Sequence, residues 1–182
     1  MKYELTNECI MKAGRKLFRI KALVDIGDEV KAGYLGGFIE KKDNLSHEGN
    51  AWVSGDACVY DNARVSDDAF LCGNAWVSGD ARVYGNASVS DDACLCGNAR
   101  VSGNARVNGD DDYAAIKGFG TEYRTTTFFR CVDKEVRVTC GCFYGTIEEF
   151  RKQVKATREG KIADEYLKIA DLMEEHFKTD SE

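Results

Sequence analysis

The chain has 182 residues, 43% hydrophobic and 31% charged, with 25 Lys and Arg against 31 Asp and Glu and a formal net charge of −6. That length suits one domain or a repeat array with a small appendage. The lack of any long apolar run excludes a membrane-spanning helix, and the acidic balance argues against nucleic-acid binding driven by phosphate neutralisation.

The N-terminus, MKYELTNECIMKAGRK, carries acids before any apolar stretch, so no cleavable leader and a cytoplasmic location are expected. The eight cysteines should then be reduced thiols, not disulfides. Residues 1–48 read as an N-terminal cap and irregular first coils. Lys2 to Arg19 would form strands or a short helix that covers an otherwise open end. Val24, Val30, Ile39 and Leu45 would face inward, with turns at Gly27, Gly33 and Gly36-Gly37.

From 49 to 110 a six-residue unit, [GD]-[ND]-A-x-[VL]-x, recurs without insertion. Ala stands at 51, 57, 63, 69, 75, 81, 87, 93, 99 and 105, and Val or Leu two residues after each. A helix of 3.6 residues per turn cannot keep a period of six on one face, whereas a short strand followed by a tight turn can. Gly, Asn and Asp at the turn tolerate the left-handed backbone. Three hexads close a triangular coil, so the pattern predicts a left-handed parallel β-helix in which residues eighteen apart stack. Residues 49–72 and 73–96 also match at 20 of 24 positions. Four hexads against three per coil turn each copy onto the next face, so duplicated side chains do not stack.

Adding eighteen gives the outward columns. Arg64, Arg82 and Arg100 share one face and form a candidate anion-binding surface. Trp52, Phe70, Ser88 and Arg106 share the second, and Cys58, Trp76 and Cys94 the third. Exposed aromatics on a solenoid face need covering, so Trp52, Phe70 and Trp76 predict a homo-oligomer, a trimer being favoured.

Gly109-Asp110-Asp111-Asp112 closes the repeat. In 111–182, the runs 121–131 and 136–143 read as a hairpin around Asp133-Lys134-Glu135. Thr146 and Glu149 form a capping box that opens a helix. A second helix from Ile162 to Phe177 has an apolar stripe of Tyr166, Ile169, Leu172, Met173 and Phe177. A ββαα module results. Because its surface is non-repetitive, Arg124, Thr126, Phe128, Arg130, Phe143 and Tyr144 stand first as candidate binding residues, with Arg plus hydroxyl groups suited to phosphate or carboxylate.

The stretch ALVDIGDEVKAGYLGGFIEKKDNLSHEGNAWVSGDACVYDNA resembles the start of YdcK-like hexapeptide-repeat proteins of bacteria and prophages. The tail, RTTTFFR…VTCGCFYGTIEEF, is similar to a module of uncharacterised phage proteins. The resemblance implies a bacterial cytoplasm and a mobile-element context, and carries no catalytic residues with it. An acyltransferase of this fold would use a histidine as general base, and only His47 and His176 are present. Cys131, Cys140 and Cys142 lack the paired spacing of structural zinc, and the acids, spread over three corners, do not build a duplex mimic. The expectation is a non-catalytic binding protein without metal or cofactor. It would inhibit a bacterial defence system by binding a protein component or sequestering a nucleotide signal. An acyl- or nucleotide-dependent transferase and a purely structural oligomer are the alternatives.

Overall fold

A computed structural model describes residues 1–178. The chain divides into two compact units, Met1–Asp110 and Asp111–Glu182.

The first unit is a parallel β-solenoid of about four turns. It opens with β1 (Tyr3–Lys12) and β2 (Arg15–Ala22), an antiparallel hairpin, followed by β3 (Leu35–Ile39). Ten two-residue strands, β4 to β13, then run from Trp52–Val53 to Arg106–Val107, one per hexad. They pair in parallel at a register of eighteen. Trp52, Phe70, Ser88 and Arg106 stack on one face. Cys58, Trp76 and Cys94 stack on the second, and Arg64, Arg82 and Arg100 on the third. The amide of Trp52 donates to the Ala69 carbonyl at 3.0 Å and that of Ser54 to Leu71 at 2.8 Å, and this ladder repeats from coil to coil. Every repeat Ala and every repeat Val or Leu is at most 1% exposed. The inward residues therefore supply the driving force, at about 25 cal/mol per Å² of apolar surface removed from water.

The corners explain why the Gly/Asp and Asn/Asp positions vary as they do. The first corner residue is left-handed throughout, including the non-glycines Asp61, Asp67 and Asp91 at φ 59°, 60° and 54°. The second alternates Asn and Asp from Asn50 to Asn98, and Asn104 alone breaks the pattern. Because a coil is an odd number of hexads, that alternation places an amide against a carboxylate at successive levels. Asn50 Nδ2 donates to Asp68 Oδ1 at 2.8 Å, Asn62 to Asp80 at 3.2 Å and Asn74 to Asp92 at 3.0 Å. Like charges thus do not stack.

The N-terminal cap is built from strands alone. β2 pairs antiparallel with β3, and β3 pairs in parallel with Cys58–Val59, so the hairpin extends one solenoid sheet to six strands. Gly36 and Gly37 lie within β3 and do not form a turn. A Cβ on Gly36 would sit 2.5 Å from the Val53 carbonyl oxygen and 2.7 Å from the Trp52 ring, so glycine is required by close approach. Val30, Ile39 and Leu45 are buried, but Val24 is 48% exposed and lines no coil. Lys2 seals the end. Its buried ammonium donates to the carbonyls of Ala51 at 2.7 Å, Gly49 at 3.3 Å and Glu48 at 3.4 Å.

The second unit has four strands where the sequence showed two. β14 (Tyr113–Phe119), β15 (Arg124–Arg130), β16 (Val136–Cys140) and β17 (Phe143–Thr146) form an antiparallel meander in chain order, followed by α1 (Ile147–Thr157) and α2 (Gly160–His176). The outer strands escaped notice because YAAIKGF is poor in β-branched residues and FYGT is only four residues long. The capping box is formed: Glu149 N–H donates to Thr146 Oγ1 at 3.1 Å, and Thr146 N–H to Glu149 Oε2 at 2.8 Å. Phe128, Val138, Phe150, Tyr166, Ile169 and Met173 form the core between sheet and helices. Leu172 is 60% exposed and leaves the apolar stripe. No helix among the described residues is long and apolar enough to cross a membrane.

Candidate functional site

One depression in the solenoid unit lies on the arginine face. Arg64, Arg82 and Arg100 project from three stacked strands, about 4.8 Å apart at their backbones. They line a cleft of about 530 Å³ together with Lys42, Asp43, His47, Ser66, Asp67 and Tyr84. A second hollow of about 260 Å³ adjoins it and shares Asp43, Arg64 and Arg82. Among the described residues Arg64 and Arg82 form no ion pair. Like charges carried on directly neighbouring strands are unfavourable to one another. Nothing in the fold demands arginine here, since the same outward slot holds Ser88, Cys94 or Phe70 elsewhere.

His47 closes the N-terminal end of the cleft. Its ring stacks on Tyr3 with centroids 4.3 Å apart, and its Nδ1 accepts the Lys2 backbone N–H at 3.3 Å. That bond puts the imidazole proton on Nε2, which is buried without a partner. Burial, then the chain's own ammonium groups and Lys42, hold the His47 pKa below the ordinary value of 6.5. The ring is neutral at pH 7. It offers a donor and has no lone pair free to take a proton, so it is unsuited to act as a general base.

The YdcK β-solenoid repeat model matches residues 75–91 and 99–110, within the regular coils that carry Arg82 and Arg100. These coils are similar to the YdcK β-solenoid repeat. Comparison with curated proteins returned no match.

The 24-residue repeats show how the arginine column is composed. The three column residues come from three different positions of the 24-residue repeat. The counterpart of Arg64 in the next copy is Ser88, that of Arg82 in the preceding copy is Cys58, and those of Arg100 are Trp76 and Trp52. Perfect duplication would scatter arginine over all three faces. Two of the four differences between the copies, Cys58 against Arg82 and Arg64 against Ser88, place arginine in this column, while Arg106, the counterpart of Arg82 in the third copy, falls on another face. A third difference, Asp61 against Gly85, prevents Asp from stacking on Asp67. The Gly85 N–H instead donates to Asp67 Oδ2 at 3.0 Å.

The C-terminal candidates are not brought together. Phe128 is fully buried in the core and Thr126 is buried with its hydroxyl donating to Cys140 Sγ at 3.2 Å; neither is a surface contact. Arg130 is engaged internally, by an ion pair to Asp112 at 3.1 Å and a hydrogen bond to the Phe177 carbonyl at 2.9 Å. Only Arg124 and Phe143 share a hollow, of about 190 Å³, with Arg158, Tyr166 and Cys142. Tyr144 is exposed but does not line it. Thr126 and Phe128 were misplaced because both faces of β15 are buried, so strand alternation did not separate inside from outside.

The aromatic columns are largely covered within the chain. Trp52 is 0% exposed and meets Tyr3 edge-on at 6.4 Å, so it is unavailable for subunit packing. Trp76 is half-buried beneath Lys12, whose Nζ lies 4.3 Å from the ring centroid. Of the three, Phe70 alone lacks a named cover of this kind. Burial pushes the Cys131 and Cys94 thiols up to about 11, so both are protonated at neutral pH. Among the described residues no three His, Cys, Asp or Glu side chains are placed to hold a metal ion.

Proposed function

We propose that this β-solenoid is a non-catalytic binding protein whose arginine face captures a small polyanion. The observation that carries the reading is the arginine column itself, assembled at an electrostatic cost from three unrelated repeat positions over a cleft of about 530 Å³. Planar guanidinium groups bind phosphate and carboxylate oxygens in pairs, and an anion seated between them turns mutual repulsion into attraction. Capture fits better than conversion because the His47 Nδ1 lone pair is taken by the Lys2 N–H, which leaves the one histidine of the lining without a free site to accept a proton. An inter-subunit transferase, which needs a base, is the weaker reading.

Taken with the resemblance to prophage proteins, the finer reading is an inhibitor of a bacterial defence system that withdraws a nucleotide signal. Its support is the match between phosphate groups and the column. The test is calorimetric titration of the full chain with inorganic tripolyphosphate at low salt. Binding should be saturable, weaken steeply with salt and be abolished by Arg82→Gln. It should survive Arg106→Gln, which removes an arginine from another face. Equal loss in both variants, or no binding by the wild type, would refute the reading.

A further inference from the structure

The cleft holds two features that a bare anion site does not need. One is Tyr84, half-buried in the lining beside Arg82 and Arg100. The other is the pair of carboxylates in its lining, Asp43 and Asp67, which would repel any anion that occupied the whole volume. A ligand anionic at one end, and flat and hydrogen-bonding at the other, accounts for both. We infer that the cleft takes a nucleoside polyphosphate, with its phosphate chain along Arg64, Arg82 and Arg100 and its base against the Tyr84 ring. This rests on the polyanion reading above and narrows it to one chemical class.

The size and spacing agree. About 530 Å³ lies within the range of sites that enclose small organic ligands and exceeds what a lone phosphate fills. Three arginines at one per coil span about 10 Å, the reach of an extended di- or triphosphate.

Tyr84 is also distinguished from its own duplicate. Tyr60, at the same position of the preceding copy, is 7% exposed and belongs to an apolar cluster with Leu17, Phe38 and Cys58. Tyr84 has no such role. Its neighbours one coil away in either direction are Ser66 and Ser102, and among the described residues it stacks on no other ring. An aromatic ring of this kind is a platform for a base, and such stacking is tolerant of which base it is. Asp67, whose Oδ2 already takes the Gly85 N–H, keeps its second oxygen for a ribose hydroxyl or an exocyclic amine, as does Asp43.

The experiment compares ATP, GTP, CTP and UTP with inorganic tripolyphosphate and with adenosine, by calorimetry on the full chain. At least one triphosphate should bind about tenfold or more tightly than tripolyphosphate. Tyr84→Ser, which places in the slot the residue found above and below it, should erase that preference, so that nucleoside triphosphates and tripolyphosphate bind alike. Tyr84→Phe should retain the preference, and a melting scan confirms that each variant is folded. If tripolyphosphate binds as tightly as every nucleotide, or Tyr84→Ser changes nothing, the base-stacking inference is overturned while the polyanion reading stands. If no probe binds, both fall.

Discussion

In the C-terminal unit the residues that look most distinctive in sequence serve the unit itself. Phe128 fills its core, Thr126 bonds across the sheet to Cys140, and Arg130 ties β15 to Asp112 and Phe177. In the solenoid the hexads look interchangeable, yet outward slots from three different repeat positions stack as Arg64, Arg82 and Arg100 on one face. Non-repetition is therefore a poor guide to where specific surface lies, because a small unit must commit its unusual side chains to holding together. Repetition frees the outward slots. Once Ala and Val or Leu supply the core, the residue between them is free to vary beyond the first coil, where the N-terminal strands cover Trp52 and Cys58.

Several substitutions break or sharpen that contrast. The largest effect should come from Phe128→Ala, which opens a cavity in a fully packed core and should cost about 3–5 kcal/mol. It should lower the melting temperature of the C-terminal unit without altering tripolyphosphate affinity at a temperature where the chain is folded. A specific loss of affinity in a folded Phe128→Ala protein would restore the tail as the binding surface.

Lys2→Met is expected to cost about 2 kcal/mol by chemical denaturation, since the carbonyls of Glu48, Gly49 and Ala51 would lose their shared donor. A neutral result would mean that water replaces the ammonium at that end. Gly85→Asp, which makes the second copy repeat the first, should cost about 1–2 kcal/mol. It sets a carboxylate above Asp67 and a Cβ 2.9 Å from the Gly103 nitrogen. Asp67→Asn in the same protein should recover part of that loss, which separates charge from crowding.

The smallest effect concerns pH. His47 has a folded-state pKa below its unfolded value of 6.5, so the unfolded chain takes up a proton first as pH falls. Stability from this residue is complete above about pH 6.5 and declines as pH drops through that value. A stability-against-pH curve for His47→Asn should be flatter than the wild type between pH 7 and 5. Parallel curves would show that the ring is not buried as described.

Much of the solenoid was legible in the sequence because one rule repeats ten times. The period of six, the coil of eighteen and each outward column follow from the positions of Ala51 to Ala105 alone. What the repeat could not disclose lies where it is absent. Nothing in MKYELTNECIMKAGRK announces that Tyr3 would cover Trp52, and Gly36-Gly37 has the composition of a turn although close approach places it in a strand. Strand alternation misled in β15 because that strand is covered on both faces. The cleft was half-visible: the arginine column follows from arithmetic, whereas His47, Lys42 and Tyr84 join it only through the irregular first coil and the corner geometry.

The central claim is that the position of the arginines, and not their number, makes the site. The most direct measurement is tripolyphosphate affinity in the exchange variant Arg64→Ser with Ser88→Arg, which keeps composition and net charge identical and moves one guanidinium to a different face. The account predicts that the variant folds like the wild type and binds at least about tenfold more weakly, as loss of one charge-assisted contact requires. Unchanged affinity would show that the anion responds to the protein's overall charge, and the arginine column would then have no special role.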